Sequence, residues 1–370
     1  MIRTIAASPV RLALRGLVGA RSRAWPPWSR LFVVGDRGGW SVDEDADHLT
    51  AAARRLGYEV GPPAWARFGG GQSVFHTSHF VALQPRWLES SHRLATAYLH
   101  GRPGTPGAPE FDEAYAALRR HAGRVERVQV THAEMHELVL AAGVDASRVF
   151  RIAIGIDLEH FPLGDEGARA RAREELGLPE SAFVAGSFQK DGVGWGEGLE
   201  PKLIKGPDVL VDALERLHTA APELVVLLTG PARGYVRREL ERLGIPYQHV
   251  VAGSRAELAR AYHALDVYLV TSRQEGGPKA VLESMATGVP LVTTRVGQAS
   301  ELVEHGRNGL LVDVEDVEAI TDWAGRVREV GSFVDGLRRA GRETAEAYAY
   351  ERLDGLWAAL LDGFVEKDAA

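Results

Sequence analysis

The sequence predicts an α/β protein built from two doubly wound domains with parallel sheets. Three observations carry that reading. The chain of 370 residues is longer than one hydrophobic core usually organises. Short β-branched runs alternate with helical segments along most of it. The alternation also falls into two successive series, separated by a charged stretch bounded by prolines.

The first series opens with Leu31 to Asp36 (LFVVGD), a β-branched run ending in a glycine turn, Arg37 to Trp40. Ser41 and Glu44 have the spacing of a capping box, so a helix is expected from there to about Gly57. Further strands are expected at Ser73 to His79, Arg93 to His100 and Glu126 to Thr131, with helices at Phe111 to His121 and Ala133 to Ala142. Val149 to Ile156 closes the series. Residues 31–165 therefore read as one domain, preceded by a basic leader at 1–30.

PLGDEGARARAREELGLPES lies between the two series, and residues 166–180 within it read as a linker with a short helix. Strands of the second domain, 181–348, are expected at Phe183 to Phe188, Leu224 to Thr229, Gln248 to Ala252, Val267 to Thr271, Pro290 to Thr294 and Leu310 to Val312. The tail 349–370 carries Leu353, Leu356, Trp357, Leu360, Leu361 and Phe364 at helical spacing. That apolar stripe must be covered, and the expectation is that it packs back toward the N-terminal domain. In doubly wound sheets ligands sit outside the strand carboxyl ends, which focuses attention on the loops there.

Composition narrows the chemistry. There is no cysteine, which excludes disulfides, thiolate metal sites and cysteine nucleophiles. The net charge of −7 gives no general attraction to nucleic acid. Against that average, Arg3, Arg11, Arg15, Arg21, Arg23 and Arg30 all precede the first acid, Asp36. Their apolar intervals are too short for a signal peptide or a spanning helix. Such a segment suits either peripheral contact with an anionic membrane surface or a solvated leader. Of 43 basic residues only five are lysine, and four of them, Lys190, Lys202, Lys205 and Lys279, lie between 190 and 279. Compact point charges gathered this way suit phosphate.

Several motifs are weaker than they look. DEDAD (Asp43 to Asp47) contains Asp-x-Asp twice, but acids in a first helical turn are stabilised by the helix dipole without any metal. HAEMH (His132 to His136) lacks the Glu directly after its first His that a zinc protease requires, and Thr131 with Glu134 explains the acid as a capping box. No metal site is predicted. GVGWGEG (Gly192 to Gly198) fits neither G-x-G-x-x-G nor a P-loop; lying between Lys190 and Lys205, it is either a phosphate approach or a flexible loop. His100, at a strand end, suits either a structural role or the site, as do His76 and His79.

SRQEGGPKAVLESMATGVP (Ser272 to Pro290) is different in kind. Pro278 suits the first position of a helix ending at Gly288, which sets Glu275 just ahead of the helix start and Glu283 inside it. The amides around Gly277, Lys279 and Ala280 would make an anion site. A diphosphate with hydroxylated groups at both ends would fit; so would plain dipole complementation by Glu275 and a surface pair at Glu283.

These residues carry a family resemblance. EGGPKAVLESMATGVPLVTTRVGQASELVEHGRNGLLV resembles the E-x7-E region of retaining GT-B glycosyltransferases of family 4. LFVVGDRGGW, VFRIAIGIDLEHF, LVVLLTGPARGYVRRELERLG and ELARAYHALDVYLVTSRQEGG match in order, so the likeness runs over about residues 31 to 365. It implies two Rossmann-like domains facing across a cleft, with a nucleotide-diphosphate sugar held by the C-terminal one. It also implies transfer with retained configuration and no required metal or other cofactor. Carried over by position, Glu283 would bind the ribose diol, Glu275 the donor sugar, and Gly276 and Gly277 the sugar and diphosphate. Lys205 would hold the diphosphate, His100 would close over the donor sugar, and Gly38 and Gly39 would lie near the diphosphate. Glu275, His100 and Lys205 are thus the candidate catalytic residues.

One position departs from the family: where Gly-Arg-Leu is common, this chain has Gly186-Ser187-Phe188, and Lys190 is the candidate replacement cation. The expected acceptor is a glycan or a lipid-linked molecule in cell-surface polysaccharide or glycolipid synthesis, on the cytoplasmic side. The rival readings are a nucleotide-sugar epimerase on the same scaffold and a non-catalytic nucleotide-sugar or membrane-binding subunit.

Overall fold

A computed structural model describes residues 31–35, 41–67, 70–329 and 331–366. The Arg-rich leader and the glycine turn with Gly38 and Gly39 lie outside the described residues. Among the described residues, two six-stranded sheets form, with every pairing parallel. No helix among them is long and apolar enough to cross a membrane.

The first sheet comprises β1 (Leu31–Val34), β2 (Val60–Gly61), β3 (Ser73–His76), β4 (Arg93–Ala97), β5 (Val125–Val130) and β6 (Val149–Arg151), in the order β2-β1-β3-β4-β5-β6. On one face Val74, Leu94 and Val128 pack with Leu118 of the helix Pro109–Arg120 and Val139 of the helix Ala133–Ala141. The other face meets the C-terminal helix Asp354–Leu361, where the Trp357 ring stands edge-on to Phe75 at 5.8 Å. Hydrogen bonds hold the tail down. Arg93 Nη1 donates to the Phe364 carbonyl at 2.7 Å, Arg127 Nε to the Leu360 carbonyl at 3.2 Å, and Arg55 pairs with Asp354 at 2.7 Å.

The second sheet comprises β7 (Phe183–Ser187), β8 (Leu224–Thr229), β9 (Tyr247–Val250), β10 (Val267–Val270), β11 (Leu291–Thr294) and β12 (Leu310–Val312), in the order β12-β11-β10-β7-β8-β9. Its inner strands β8 and β10 are apolar on both faces, as parallel strands covered by helices are, while the edge strand β9 is not. Val267 and Leu269 point into one core with the helices Pro207–Ala220 and Val317–Glu329, while Tyr268 and Val270 point into the other with Arg255–His263 and Lys279–Thr287. Period-two alternation therefore fills two cores from one strand.

The chain divides into one unit running through Ile152 and resuming at Leu353, and a second spanning Ala153–Arg352. This corrects the expected linker. Residues 166–180 belong to the second unit, because the helix Glu166–Glu175 is stitched into it by Arg173, which is buried. Its guanidinium donates to the Ala264 carbonyl at 3.1 Å and pairs with Asp266 at 2.7 Å.

Smaller corrections follow the same logic. The strand expected to reach His79 stops at His76, where its pairing with Val34 ends, and His79 instead starts a short helix behind Ser78. His132, not Thr131, occupies the N-cap position of the helix at Ala133 and makes no side-chain cap bond, and Glu134 pairs with Arg102 at 2.7 Å. Pro278 is the residue before the helix Lys279–Thr287, not its first, since its ψ of 105° is extended.

The end of β3 has a consequence for acid stability. His76 is fully buried against Trp87, at 4.4 Å between ring centres, and burial, with Arg86 and His92 nearby, pushes its pKa down to about 3. His79 is lowered too, first by burial and then by His100. Between about pH 6.5 and 3 the unfolded chain binds protons that the folded one refuses, so stability falls as pH falls through that window. The expected slope is about 1.4 kcal/mol per pH unit for each such histidine. Thermal midpoints between pH 7 and 5 measure it, above the range where carboxylates titrate, and His76→Leu flattens the dependence.

Candidate active site

The second sheet reverses its direction of winding between β7 and β10, because the chain leaves β7 toward β8 and leaves β10 toward β11. The loops after these two strands therefore diverge and leave a crevice at their carboxyl ends. Four of the predicted residues, Lys205, Glu275, Gly276 and Gly277, lie together there.

Lys205 closes a turn of 3-10 helix, Leu203–Lys205, and Gly206 then takes a left-handed φ of 61° before the helix Pro207–Ala220. Glycine is required at Gly206 twice over, since a β-carbon would also collide with the Thr271 carbonyl. The loop after β10 docks on this turn, with the amides of Arg273 and Gln274 donating to the Ile204 carbonyl at 2.9 and 3.1 Å. Arg273 fastens it from outside, through Asp208 and Glu315 at 2.6 Å each; those two acids hold its pKa above the usual arginine range.

The docking brings Lys205 Nζ to 2.5 Å from Glu275 Oε1. The same carboxylate oxygen accepts from Ser272 Oγ at 2.8 Å, and Ser272 Oγ also lies 3.1 Å from Gln189 Oε1. Gln189 Nε2 in turn donates to the Lys205 carbonyl at 3.1 Å, which closes a ring of four residues drawn from both loops. Glu275 is nearly buried, with 10% of its side chain exposed.

Gly276 and Gly277 follow, and the structure explains the second of them sterically. A β-carbon at Gly277 would meet Gln298 Cδ at 2.8 Å and Ile154 Cδ1 at 2.8 Å. Gln298 is buried and works as a clamp. Its amide N–H donates to the Gly276 carbonyl at 3.0 Å, while its side chain accepts from the Ile154 N–H at 2.8 Å and donates to the Ile154 carbonyl at 3.2 Å.

Beyond Pro278, Lys279 begins the nine-residue helix, whose first-turn amides have no acceptor within it and favour an anion. Glu283 lies in this helix and accepts from Tyr262 Oη at 2.8 Å. Burial, followed by the Glu283 carboxylate, drives the Tyr262 hydroxyl well above its usual range, so it stays a donor. Gly288 ends the helix with a φ of 76°.

Ser187 ends β7 as a buried residue, so no cation projects from the position where the family commonly has arginine. The chain then forms a packed hairpin rather than a flexible loop. Val193 N–H bonds the Glu200 carbonyl at 2.9 Å, and Lys202 N–H bonds the Asp191 carbonyl at 2.7 Å. The carbonyls of Glu197 and Gly198 accept from the amides of Gly234 and Tyr235 at 2.7 and 2.9 Å, capping the helix Gly234–Leu243. Under the hairpin, Arg233 and Asp191 form a pair at 2.9 Å with neither side chain exposed. Burial raises the Asp191 carboxyl above its usual range and the Arg233 guanidinium offsets part of that rise. Lys190 lies with Nζ 3.6 Å from the centre of the Trp195 ring, a cation–π contact, and burial lowers its pKa.

His100 belongs to the first unit, three residues beyond β4, among the rings of His79, Phe80 and Phe111 at 5.8, 5.8 and 5.5 Å. The site residues are thus distributed. Lys205, Glu275, Gly276 and Gly277 are brought together, Glu283 is held one helix turn further on, and Lys190 stands on the hairpin. Sequence reasoning missed Gln189, Ser272, Gln298 and Tyr262. Only Ser272 had a local signal, its place three residues before Glu275 at the end of a strand.

The architecture is that of a GT-B glycosyltransferase. HepE of Anabaena, solved with UDP-glucose, has a TM-score of 0.71 at 18% identity, over 90% of this chain and 99% of that one. Sucrose-phosphate synthase of Thermosynechococcus elongatus has the same TM-score and identity, over 90% and 98%. In sequence, a family model for glycosyl transferases group 1 matches residues 197–328. The D-inositol 3-phosphate glycosyltransferase of Xylanimonas cellulosilytica is 32% identical over 327 residues, 81% of this chain and 73% of that protein. Its counterpart in Corynebacterium urealyticum is 32% identical over 72% of this chain and 63% of that protein. The chain belongs to the group 1 glycosyltransferases.

Proposed function

We propose that the protein transfers a hexose-type sugar, with retained anomeric configuration, from a nucleoside-diphosphate sugar to a hydroxylated acceptor. The observation that carries this reading is the Lys205–Glu275 pair at the crevice between β7 and β10, ahead of the Lys279–Thr287 helix. An ammonium and a helix start together suit a diphosphate, and a carboxylate on either side suits hydroxyls.

In this reading Lys205 and the first-turn amides stabilise the charge that grows on the leaving diphosphate, with Lys190 adding a second cation in place of the arginine absent at Ser187. Glu275 orients the donor sugar, Gly276 and Gly277 let it approach the backbone, and Glu283 receives the ribose diol. The family resemblance assigns His100 to the donor sugar and Gly38 and Gly39 to the diphosphate. The lysines and the helix start can stand in for a metal at the diphosphate, and a phosphate oxygen of the departing group can take the acceptor proton. The net charge of −7 gives no general attraction to nucleic acid.

For the acceptor, the first reading is a glycan or lipid-linked molecule at the cytoplasmic face of a membrane, with the Arg-rich segment resting on anionic lipid. The names of the relatives favour a second, a phosphorylated polyol such as D-inositol 3-phosphate. A thermal-shift panel of nucleotide sugars tests the donor, since a ligand of the folded state adds about 2.7 kcal/mol of stability at a hundredfold excess over Kd and so raises the midpoint. Nucleotide release is then assayed with and without each acceptor class. Release that requires an acceptor supports transfer. Donor conversion without one indicates an epimerase, and binding without turnover a non-catalytic subunit.

A further inference from the structure

We propose that Gln298 is a positioning residue for the donor sugar, fixing the backbone of Gly276 and Gly277 against the turn that follows β11. It rests on the donor-site reading above and deepens it, by naming what holds the sugar end of that site in place.

The turn after β11 packs against the loop that carries Glu275 and is fastened to it at both ends. Thr294, the last residue of β11, donates its Oγ1 to the Ser272 carbonyl at 2.7 Å. At the other end the Gln298 amide N–H donates to the Gly276 carbonyl at 3.0 Å. Between these ties Gly297 takes a left-handed φ of 51°, and a β-carbon there would lie 2.6 Å from the Glu275 carbonyl oxygen and 2.5 Å from that of Gly276. The reciprocal approach is as close, since a β-carbon on Gly277 would come within 2.7 Å of Gln298 Oε1. Glycine on each side lets the two segments touch, and that contact leaves residues 275–277 no room to move toward the turn.

The side chain of Gln298 holds the turn there. It is buried, and its amide takes both backbone groups of Ile154, accepting from the N–H at 2.8 Å and donating to the carbonyl at 3.2 Å. Ile154 is buried too, and its Cδ1 would stand 2.8 Å from a β-carbon at Gly277. Gly277 is thus backed by one side chain and by the residue which that side chain anchors. Satisfying Ile154 is by itself a structural task. That task does not require the same residue to bond the Gly276 carbonyl through its own amide, or to set its side-chain oxygen against Gly277. Both contacts fall on the segment directly after Glu275, where a small displacement costs a bound sugar its alignment.

Gln298→Met tests it, because methionine keeps the length of the side chain and removes the amide. Affinities are measured by calorimetry for UDP with UDP-glucose, GDP with GDP-mannose and ADP with ADP-glucose, beside thermal melts. For the pair that wild type binds best, the nucleotide sugar is expected to bind the variant about tenfold more weakly, and the free diphosphate as it binds wild type. Equal weakening of both, or full affinity for both with only a lower midpoint, makes Gln298 a structural residue and overturns the inference. If wild type binds none of these compounds, or Glu275→Ala leaves nucleotide-sugar binding unchanged, the donor-site reading fails and the inference with it. Should Gln298→Met not fold, Gln298→Glu decides, since a protonated carboxyl accepts and donates as the amide does and burial favours that form. Its affinity for the nucleotide sugar over the free diphosphate, relative to wild type, should recover as pH falls from about 8 to about 5. A ratio equal to that of wild type throughout, or a loss that pH does not change, overturns the inference.

Discussion

Lys205→Ala is expected to lower turnover by about two to three orders of magnitude, the usual effect of removing one preorganised group that stabilises developing charge. Its ammonium is fixed at 2.5 Å from Glu275, and the ring of Ser272 and Gln189 around that carboxylate leaves it little freedom. Preorganisation of this sort acts on the transition state without needing to reorganise. Glu275→Ala should fall as far, because the donor sugar then loses its carboxylate. The fold should survive both. Lys205 is 22% exposed, and without it Glu275 still accepts from Ser272 Oγ at 2.8 Å. Steady-state kinetics with a confirmed donor, beside circular dichroism and thermal melts, check the pair of claims. Near-normal turnover in either variant removes it from the site.

The second large effect is on stability. Asp191→Ala or Arg233→Ala leaves a charge buried without its partner, where both side chains have no exposure at all. Breaking such a pair costs about 3–5 kcal/mol. At roughly 2–4 °C per kcal/mol for a unit of this size, the midpoint should drop by roughly 6–20 °C. Arg233 also donates to the carbonyls of Ser187 and Thr229, at 2.5 and 3.1 Å, so its loss strips β7 and β8 of a shared tie. The double variant Asp191→Leu with Arg233→Met should be more stable than either single one, since no buried charge remains. A double that melts as low as the sum of the singles would mean the pair does not act as a unit. The hairpin above it carries Lys190, so donor affinity should weaken with the singles as well.

Much of the fold was legible because of how parallel sheets are buried. Strands such as Leu224–Thr229 and Leu310–Val312 are apolar on both faces, and their sequences read as continuous apolar runs. The two-residue strand Val60–Gly61 and the short helices His79–Ala82 and Pro85–Leu88 gave too few residues for any period to show. The helix Glu166–Glu175 was misread as linker because its exposed face is charged. The buried arginine that anchors it looks the same in sequence as its exposed neighbours.

Within the site, the sequence by itself determined the pieces whose chemistry is local. Glu275 and Glu283 around a helix start, a lysine before a glycine, and a serine where the family commonly has arginine all lie within short segments. Only the tertiary structure decided the partners. Ser272 and Gln189 stand 83 residues apart, Gln298 and Ile154 144, and Arg233 and Asp191 42. Such contacts leave no periodic trace along the chain, because the sheet order that brings strand ends side by side is a property of the packed fold. The glycine hairpin shows the same division. Its composition allowed either a phosphate approach or a flexible loop, and the close approach of Gly192 and Gly198 to the Ala232 backbone shows that the segment is packed.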